Sequence, residues 1–152
     1  VKDPNFVELP GDVRAFLESE RTPCVVSTLR ADGHPITSAT WYGFAGDDLV
    51  VATPAGRNKA KNLTRDPRIS FIVDTRAMPY RGVAIEGLAE LGADPGGAIL
   101  AAIVHRYLAP DAAATMLAGL EAQRPDNARL IVRIRPQRVR PWSIAPRVAT
   151  SA

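Results

Sequence analysis

Apolar and polar residues along this chain come in short blocks whose spacing changes several times. Val13, Phe16 and Leu17 recur at helical spacing and predict a short amphipathic helix over Asp12 to Glu20, closed by Thr22-Pro23. Cys24 to Leu29 reads as a strand, and Asp32-Gly33 is a hairpin turn signal. Ile36 to Phe44 reads as the returning strand, rich in β-branched and aromatic residues. Gly46-Asp47-Asp48 turns the chain into a further strand from Leu49 to Thr53. Pro54-Ala55-Gly56 stops that strand. Arg57 to Asp66 then has helical composition, with Pro67 as its end.

Ile69 to Asp74 and Val83 to Leu91 predict two more strands, separated by a loop at Met78-Pro79. Asp94-Pro95 has the form of a helix cap followed by proline at the first helical position. Ile99, Leu100, Ile103, Val104 and Leu108 follow at helical spacing. Pro110-Asp111 opens another helix with Met116, Leu117 and Leu120 on its apolar face. Leu130 to Ile134 is a late strand. Val139 to Ile144 is extended, because Pro136, Pro141 and Pro146 forbid a helix there. Ala149 to Ala152 reads as a frayed end. Hairpin-linked strands with short helices between them predict a mainly β, six-stranded antiparallel barrel with added helices. A length of 152 residues fits one domain, residues 1–152. A chain of this size has a modest core and gains from dimerising.

Charge changes the picture through its distribution. The net charge is only +3, yet all of the 19 basic residues except Lys2, Lys59 and Lys61 are arginine. One basic group runs from Arg57 to Arg68. Another, Arg129, Arg133, Arg135, Arg138, Arg140 and Arg147, follows the last acidic residue, Asp126. Two local basic regions in a nearly neutral protein fit an anionic small molecule or a solvated surface better than nucleic acid. Single-strand binders also stack bases on exposed aromatics, and aromatic residues are only 6% here.

Cys24 is the sole cysteine, so no internal disulfide forms. It falls in a strand and reads as buried and inert. No apolar run approaches a membrane span, and Val1 to Pro10 lacks a signal-peptide pattern, so the expected location is cytoplasmic. His34 and His105 have no cysteine or carboxylate at ligand spacing, which argues against a structural metal. His105 reads as a surface or boundary residue. Ser27, Ser38 and Ser70 lack the Gly-x-Ser-x-Gly context of a hydrolase nucleophile.

The segment that carries chemistry follows Thr53. A strand ends, a Pro-Ala-Gly turn intervenes, and a helix begins near Arg57 or Asn58. The first turn of a helix has unpaired N–H groups and partial positive charge, so it accepts anions. Arg57, Lys59 and Lys61 add cations to an end where cations are unfavourable without a counter-ion. A bound phosphate accounts for this arrangement. A solvated basic stripe accounts for it equally, since Arg57, Lys61 and Arg65 fall at i, i+4 spacing. Ser38 and Thr40 share one face of their strand, and are either pocket-lining or ordinary exposed positions.

Thr22-Pro-Cys-Val-Val-Ser-Thr-Leu-Arg-Ala-Asp-Gly-His-Pro35, Trp41-Tyr42, Leu49-Val-Val-Ala-Thr53, Arg57-x-Lys59-x-Lys61-Asn62-Leu63, Asp66-Pro67-Arg68-Ile69 and Glu86-Gly87 occur in this order. Together they resemble the pyridoxamine 5'-phosphate oxidase-like split-barrel superfamily, and within it the flavin/deazaflavin oxidoreductases of actinobacteria. The resemblance covers residues 11 to 92 well and the remainder loosely. It implies a homodimer with two cofactor sites at the subunit interface. It implies that Arg57 and Lys59 bind the cofactor phosphate, that Lys61 and Asn62 support them, and that Thr53 meets the ring. It implies for Trp142 an aromatic laid over the partner's cofactor; the alternative is a tryptophan that plugs the barrel.

The cofactor this resemblance implies is coenzyme F420, with FMN as the alternative. The reaction is hydride transfer to a small conjugated substrate, with Tyr42 and Tyr80 as candidate proton donors. A non-catalytic flavin- or haem-binding protein is the other class, in which His34 or His105 would be the only imidazole ligand. True pyridoxamine phosphate oxidases carry an Arg-x-His pattern near the C-terminus. This chain ends Trp142-Ser-Ile-Ala-Pro-Arg-Val-Ala-Thr-Ser-Ala152 without it, which argues against that substrate.

Overall fold

A computed structural model describes residues 3–123 and 128–145. Pro146, Arg147 and the segment 149–152 lie outside them. In chain order the elements are α1 (Gly11–Ser19), β1 (Cys24–Leu29), β2 (Pro35–Thr40), β3 (Tyr42–Ala45), β4 (Asp48–Pro54), α2 (Asn58–Arg65), β5 (Arg68–Asp74) and β6 (Tyr80–Gly92). A 3-10 turn at Pro95–Gly97, α3 (Ala98–Tyr107), α4 (Pro110–Ala122) and β7 (Arg129–Ile144) complete them.

The strands form one sheet in the order β2-β1-β5-β6-β7-β4-β3, every pair antiparallel. The sheet has seven strands, not the expected six, because the stretch from Ile36 to Phe44 is broken at Trp41. The two pieces stand at opposite edges of the sheet, joined by that one residue. The sheet must therefore curl until its edges meet at Trp41, which makes a split barrel. A strand pattern cannot reveal this break, since Thr40 pairs with Cys24 while Tyr42 pairs with Val51.

Leu49, Val51, Phe71, Val83, Ile85, Val132 and Ile134 point into the curled sheet and form the core. Each such side chain stabilises the fold by roughly 1.5–3 kcal/mol. Alternate residues of β4 and β7 point outward: Val50 and Ile131 pack against Ile103 of α3. Asp94 caps α3 from across the 3-10 turn, its carboxylate accepting from the amides of Ile99 at 3.1 Å and Leu100 at 2.8 Å. The two expected C-terminal pieces, Leu130 to Ile134 and Val139 to Ile144, are one strand. Gln137 is an extra residue between Pro136, opposite Gly87, and Arg138, opposite Glu86. At that bulge a Cβ on Gly87 would lie 2.2 Å from the Arg135 carbonyl oxygen, so glycine is required.

The predicted first helix is confirmed, with Val13, Phe16 and Leu17 buried. Tyr42 fastens it. Its hydroxyl sits 2.8 Å from the carbonyl oxygens of Leu17 and Glu20 and donates to one at a time. Arg106 of α3 completes the joint, donating to the carbonyls of Leu17, Glu18 and Glu20 and to the Tyr42 hydroxyl. No described helix is long and apolar enough to cross a membrane.

Candidate functional site

Helix α2 starts where β4 ends. The Arg57 amide folds back to the Pro54 carbonyl at 3.1 Å, and the Ala55 amide binds the Ala128 carbonyl at 2.8 Å. Arg57 is the residue before the helix, and no described side chain caps the first turn. No acidic residue lies in that turn. The amides of Asn58, Lys59 and Ala60 are the donors that a helix start leaves without intrahelical acceptors.

Arg129 joins this end from another part of the chain. It stands directly opposite Pro54 in the β4–β7 ladder. Its Nε is buried and has no hydrogen-bond partner among the described residues. Its pKa is lowered, first by burial and then by the neighbouring Arg57 charge. Arg129 thus stands within charge range of Arg57, the residue that precedes the uncapped amides of α2, and an oxyanion is the group whose chemistry fits such a neighbourhood. Arg129 was not among the predicted site residues. It read only as the first of the C-terminal arginines; the available signal was its place at the start of the strand that follows Asp126. The ladder register against Pro54 is what reveals it.

Lys59 points elsewhere. Residues two apart on a helix do not share a face, and Lys59 is half-buried with its pKa lowered chiefly by that burial. It is near enough to Cys24 for their charges to interact. Cys24 is fully buried, and burial pushes its thiol up to about 12, in keeping with an inert cysteine. No carboxylate pairs with Lys59 among the described residues.

Asn62 is a positioning residue. It is buried, and its amide donates to the Thr28 hydroxyl at 3.1 Å while its oxygen accepts from Arg65 at 3.1 Å. It ties α2 to β1. Lys61 is exposed and lines a groove of about 400 Å³ with Arg30, Asp32, Ile36, Asn58 and Arg65. Arg30 is paired with Asp32 there.

Ser38 and Thr40 share the inward face of β2 with Ile36, all three half-buried, while Thr37 and Ala39 are exposed. They are not ordinary exposed positions. Their ladder partners are the buried Val26 and Cys24, the latter near Lys59. Thr53 is 3% exposed and points to the same side as Leu49 and Val51.

Trp142 is not brought to this end. It pairs with Gly82, on the face opposite to Val83 and Ile85. A Cβ on Gly82 would lie 2.5 Å from the indole ring. The tryptophan therefore lies flat on the outer face of the sheet and does not plug the barrel. Tyr42 is equally removed from solvent: it is fully buried, and burial raises its hydroxyl to about 12. It serves the α1 joint rather than proton donation. Tyr80 is 37% exposed at the start of β6. His105 is exposed, as a surface residue would be.

A family model described as pyridoxamine 5'-phosphate oxidase matches residues 9–143. Among solved structures, the conserved hypothetical protein Rv2991 from Mycobacterium tuberculosis is 27% identical, with a TM-score of 0.74 over 100% of this chain and 98% of that one. An F420 reductase is 26% identical, with a TM-score of 0.67 over 87% of this chain and 98% of that one. A haem-binding protein from Mycobacterium smegmatis shares the fold at 23% identity, with a TM-score of 0.66 over 93% of this chain and 57% of that one. No curated protein matches the chain.

Proposed function

The chain belongs to the pyridoxamine 5'-phosphate oxidase family, and from that premise we propose that it is an oxidoreductase that uses coenzyme F420 in the cytoplasm. The observation that carries this reading is the continuity of the α2 start with a basic groove. Arg57 and the uncapped amides of α2 would hold the cofactor's phosphate. Asn58, the first residue of the helix, already lines the groove that Lys61 and Arg65 make basic. Coenzyme F420 carries an anionic lactyl-oligoglutamate tail beyond its phosphate, and such a groove suits that tail. FMN has no tail, and is the alternative occupant of the same phosphate site. The likeness to an F420 reductase supports the first choice.

Bound deazaflavin supplies hydride transfer to a small conjugated substrate; the chain's own residues bind and orient it. Arg57 anchors the phosphate end. Asn62 keeps α2 seated on β1, so the anchor stays in register with the sheet. Thr53, Ser38, Thr40 and the half-buried Lys59 would face the ring. A homodimer is part of this proposal. The outer face of β1, β5 and β6 presents Val25, Ile72 and Ala84 with no described helix packed over these residues, whereas α3 covers the outer face of β4. Trp142 lies on that uncovered side, where a second copy would meet it.

Parallel fluorescence or calorimetric titrations with coenzyme F420, FMN and haem test the reading. Binding of coenzyme F420 below about 100 μM, roughly −5.5 kcal/mol, with weaker FMN binding is expected. Failure of both flavin-type cofactors to bind in that range overturns it, and preferential haem binding would replace it. Light scattering tests the dimer: a mass of one chain at cofactor-binding concentrations rejects it.

A further inference from the structure

We infer that Arg129 is a second guanidinium for the same oxyanion, held in the empty protein at a cost in stability that anion binding relieves. This deepens the reading of the α2 start as a phosphate site, and rests on it. The ladder places Arg129 opposite Pro54, three residues before Arg57. The chain between is folded tightly by the Arg57-to-Pro54 and Ala55-to-Ala128 backbone bonds, so the two arginines are held together by the backbone itself. Neither is paired with a carboxylate among the described residues.

The chemistry of the pair is unfavourable without a ligand. A buried Nε–H with no acceptor forfeits its hydrogen bond to water. A like charge beside it adds repulsion, and both effects pull the Arg129 pKa down. An oxyanion along the Nε–Nη edge offers an acceptor to Nε and opposite charge to both guanidinium groups. Lysine cannot replace this geometry, because an ammonium group is a point charge with no planar fork. A surface arginine would behave differently. Its removal would leave stability nearly unchanged and would not alter anion affinity in particular.

The test uses the full chain without cofactor, with inorganic phosphate as the probe and sodium chloride at matched ionic strength as the reference. In wild type, phosphate should raise the melting temperature above the chloride value. Arg129→Met should melt higher than wild type in chloride, and should lose about tenfold or more in apparent phosphate affinity. Arg129→Lys should keep part of the phosphate response and none of the fork's advantage. A phosphate increment in Arg129→Met equal to that of wild type overturns the inference. So does a melting temperature in chloride below that of wild type for both Arg129→Met and Arg129→Gln. The cofactor reading fails separately. If phosphate binding depends on Arg129 but neither flavin-type cofactor binds wild type, the inference stands and that reading falls.

Discussion

Among the described residues two arginines bury an Nε that has no hydrogen-bond partner, Arg106 and Arg129, and their surroundings differ. Arg106 lies under the C-terminal end of α1. Its terminal nitrogens donate to the carbonyls of Leu17, Glu18 and Glu20, acceptors at and just past the helix end that no helix amide serves. It also lies 4.7 Å over the Tyr42 ring. Those contacts surround the positive charge with carbonyl oxygens and an aromatic face. Arg129 has Arg57 as its charged neighbour, and the start of α2, itself positive, close by. One charge is matched by carbonyls and a ring of this chain; the other has no such match among the described residues. Burial of a cation is thus a poor guide to function until its partners are known.

The largest expected effect breaks the first half of that contrast. Arg106→Ala removes a donor from three carbonyls and from the Tyr42 hydroxyl, leaving Tyr42 and Arg21 to serve only part of them. It should destabilise the protein by about 3 kcal/mol, seen as a melting temperature lower by about 6–12 °C. A loss below a third of that would mean that water replaces Arg106 and that the joint is not structural. On the other side, Arg57→Ala should keep the fold and weaken cofactor binding about tenfold, read by fluorescence titration. Unchanged affinity would move the phosphate away from α2.

A smaller effect involves Lys59, which no carboxylate pairs with among the described residues. Burial holds its pKa below the ordinary lysine value of 10.5. The unfolded chain therefore keeps this proton over a pH range in which the folded protein has released it. Across that window the unfolded state binds more protons, so stability rises with pH. The penalty is fully present below the folded-state pKa and disappears toward 10.5. Lys59→Met should be more stable than wild type at neutral pH, with the gap closing as pH rises. Denaturation midpoints measured across that range check it, and a gap independent of pH would contradict it. The smallest effect sharpens the second half of the contrast. With Arg57 gone, the cofactor-free protein should gain on the order of a few tenths of a kcal/mol from lost repulsion, provided Arg129 is present.

Much of the secondary structure was legible because its signals are local. Cys24–Leu29 was bounded to the residue, since a proline precedes it and a turn follows. Asp32-Gly33 signalled a hairpin, and Gly33 has the positive φ of 83° that such a turn uses. Asp94-Pro95 announced α3, although the carboxylate reaches its amides across a 3-10 turn rather than from the adjacent position. What was missed is non-local. The break at Trp41 has no punctuating glycine or proline, because the chain changes partners there without turning back. The continuity of β7 was hidden by prolines, which the bulge at Gln137 accommodates opposite Gly87.

The same division holds for the site. By itself the sequence determined that three cations crowd a helix start after a strand, that no carboxylate in that turn balances them, and that the segment belongs to a recognisable order of motifs. These are properties of neighbours along the chain. Only the tertiary structure decided which of them act together. It separated Lys59 from Arg57 by the pitch of a helix, gave Asn62 to the α2–β1 joint, and laid Trp142 on the outer face across Gly82. It also brought Arg129 to Arg57 from more than seventy positions away. That last pairing depends on the register of β4 against β7, and register is set by the whole sheet curling to bury one face, which no segment specifies alone.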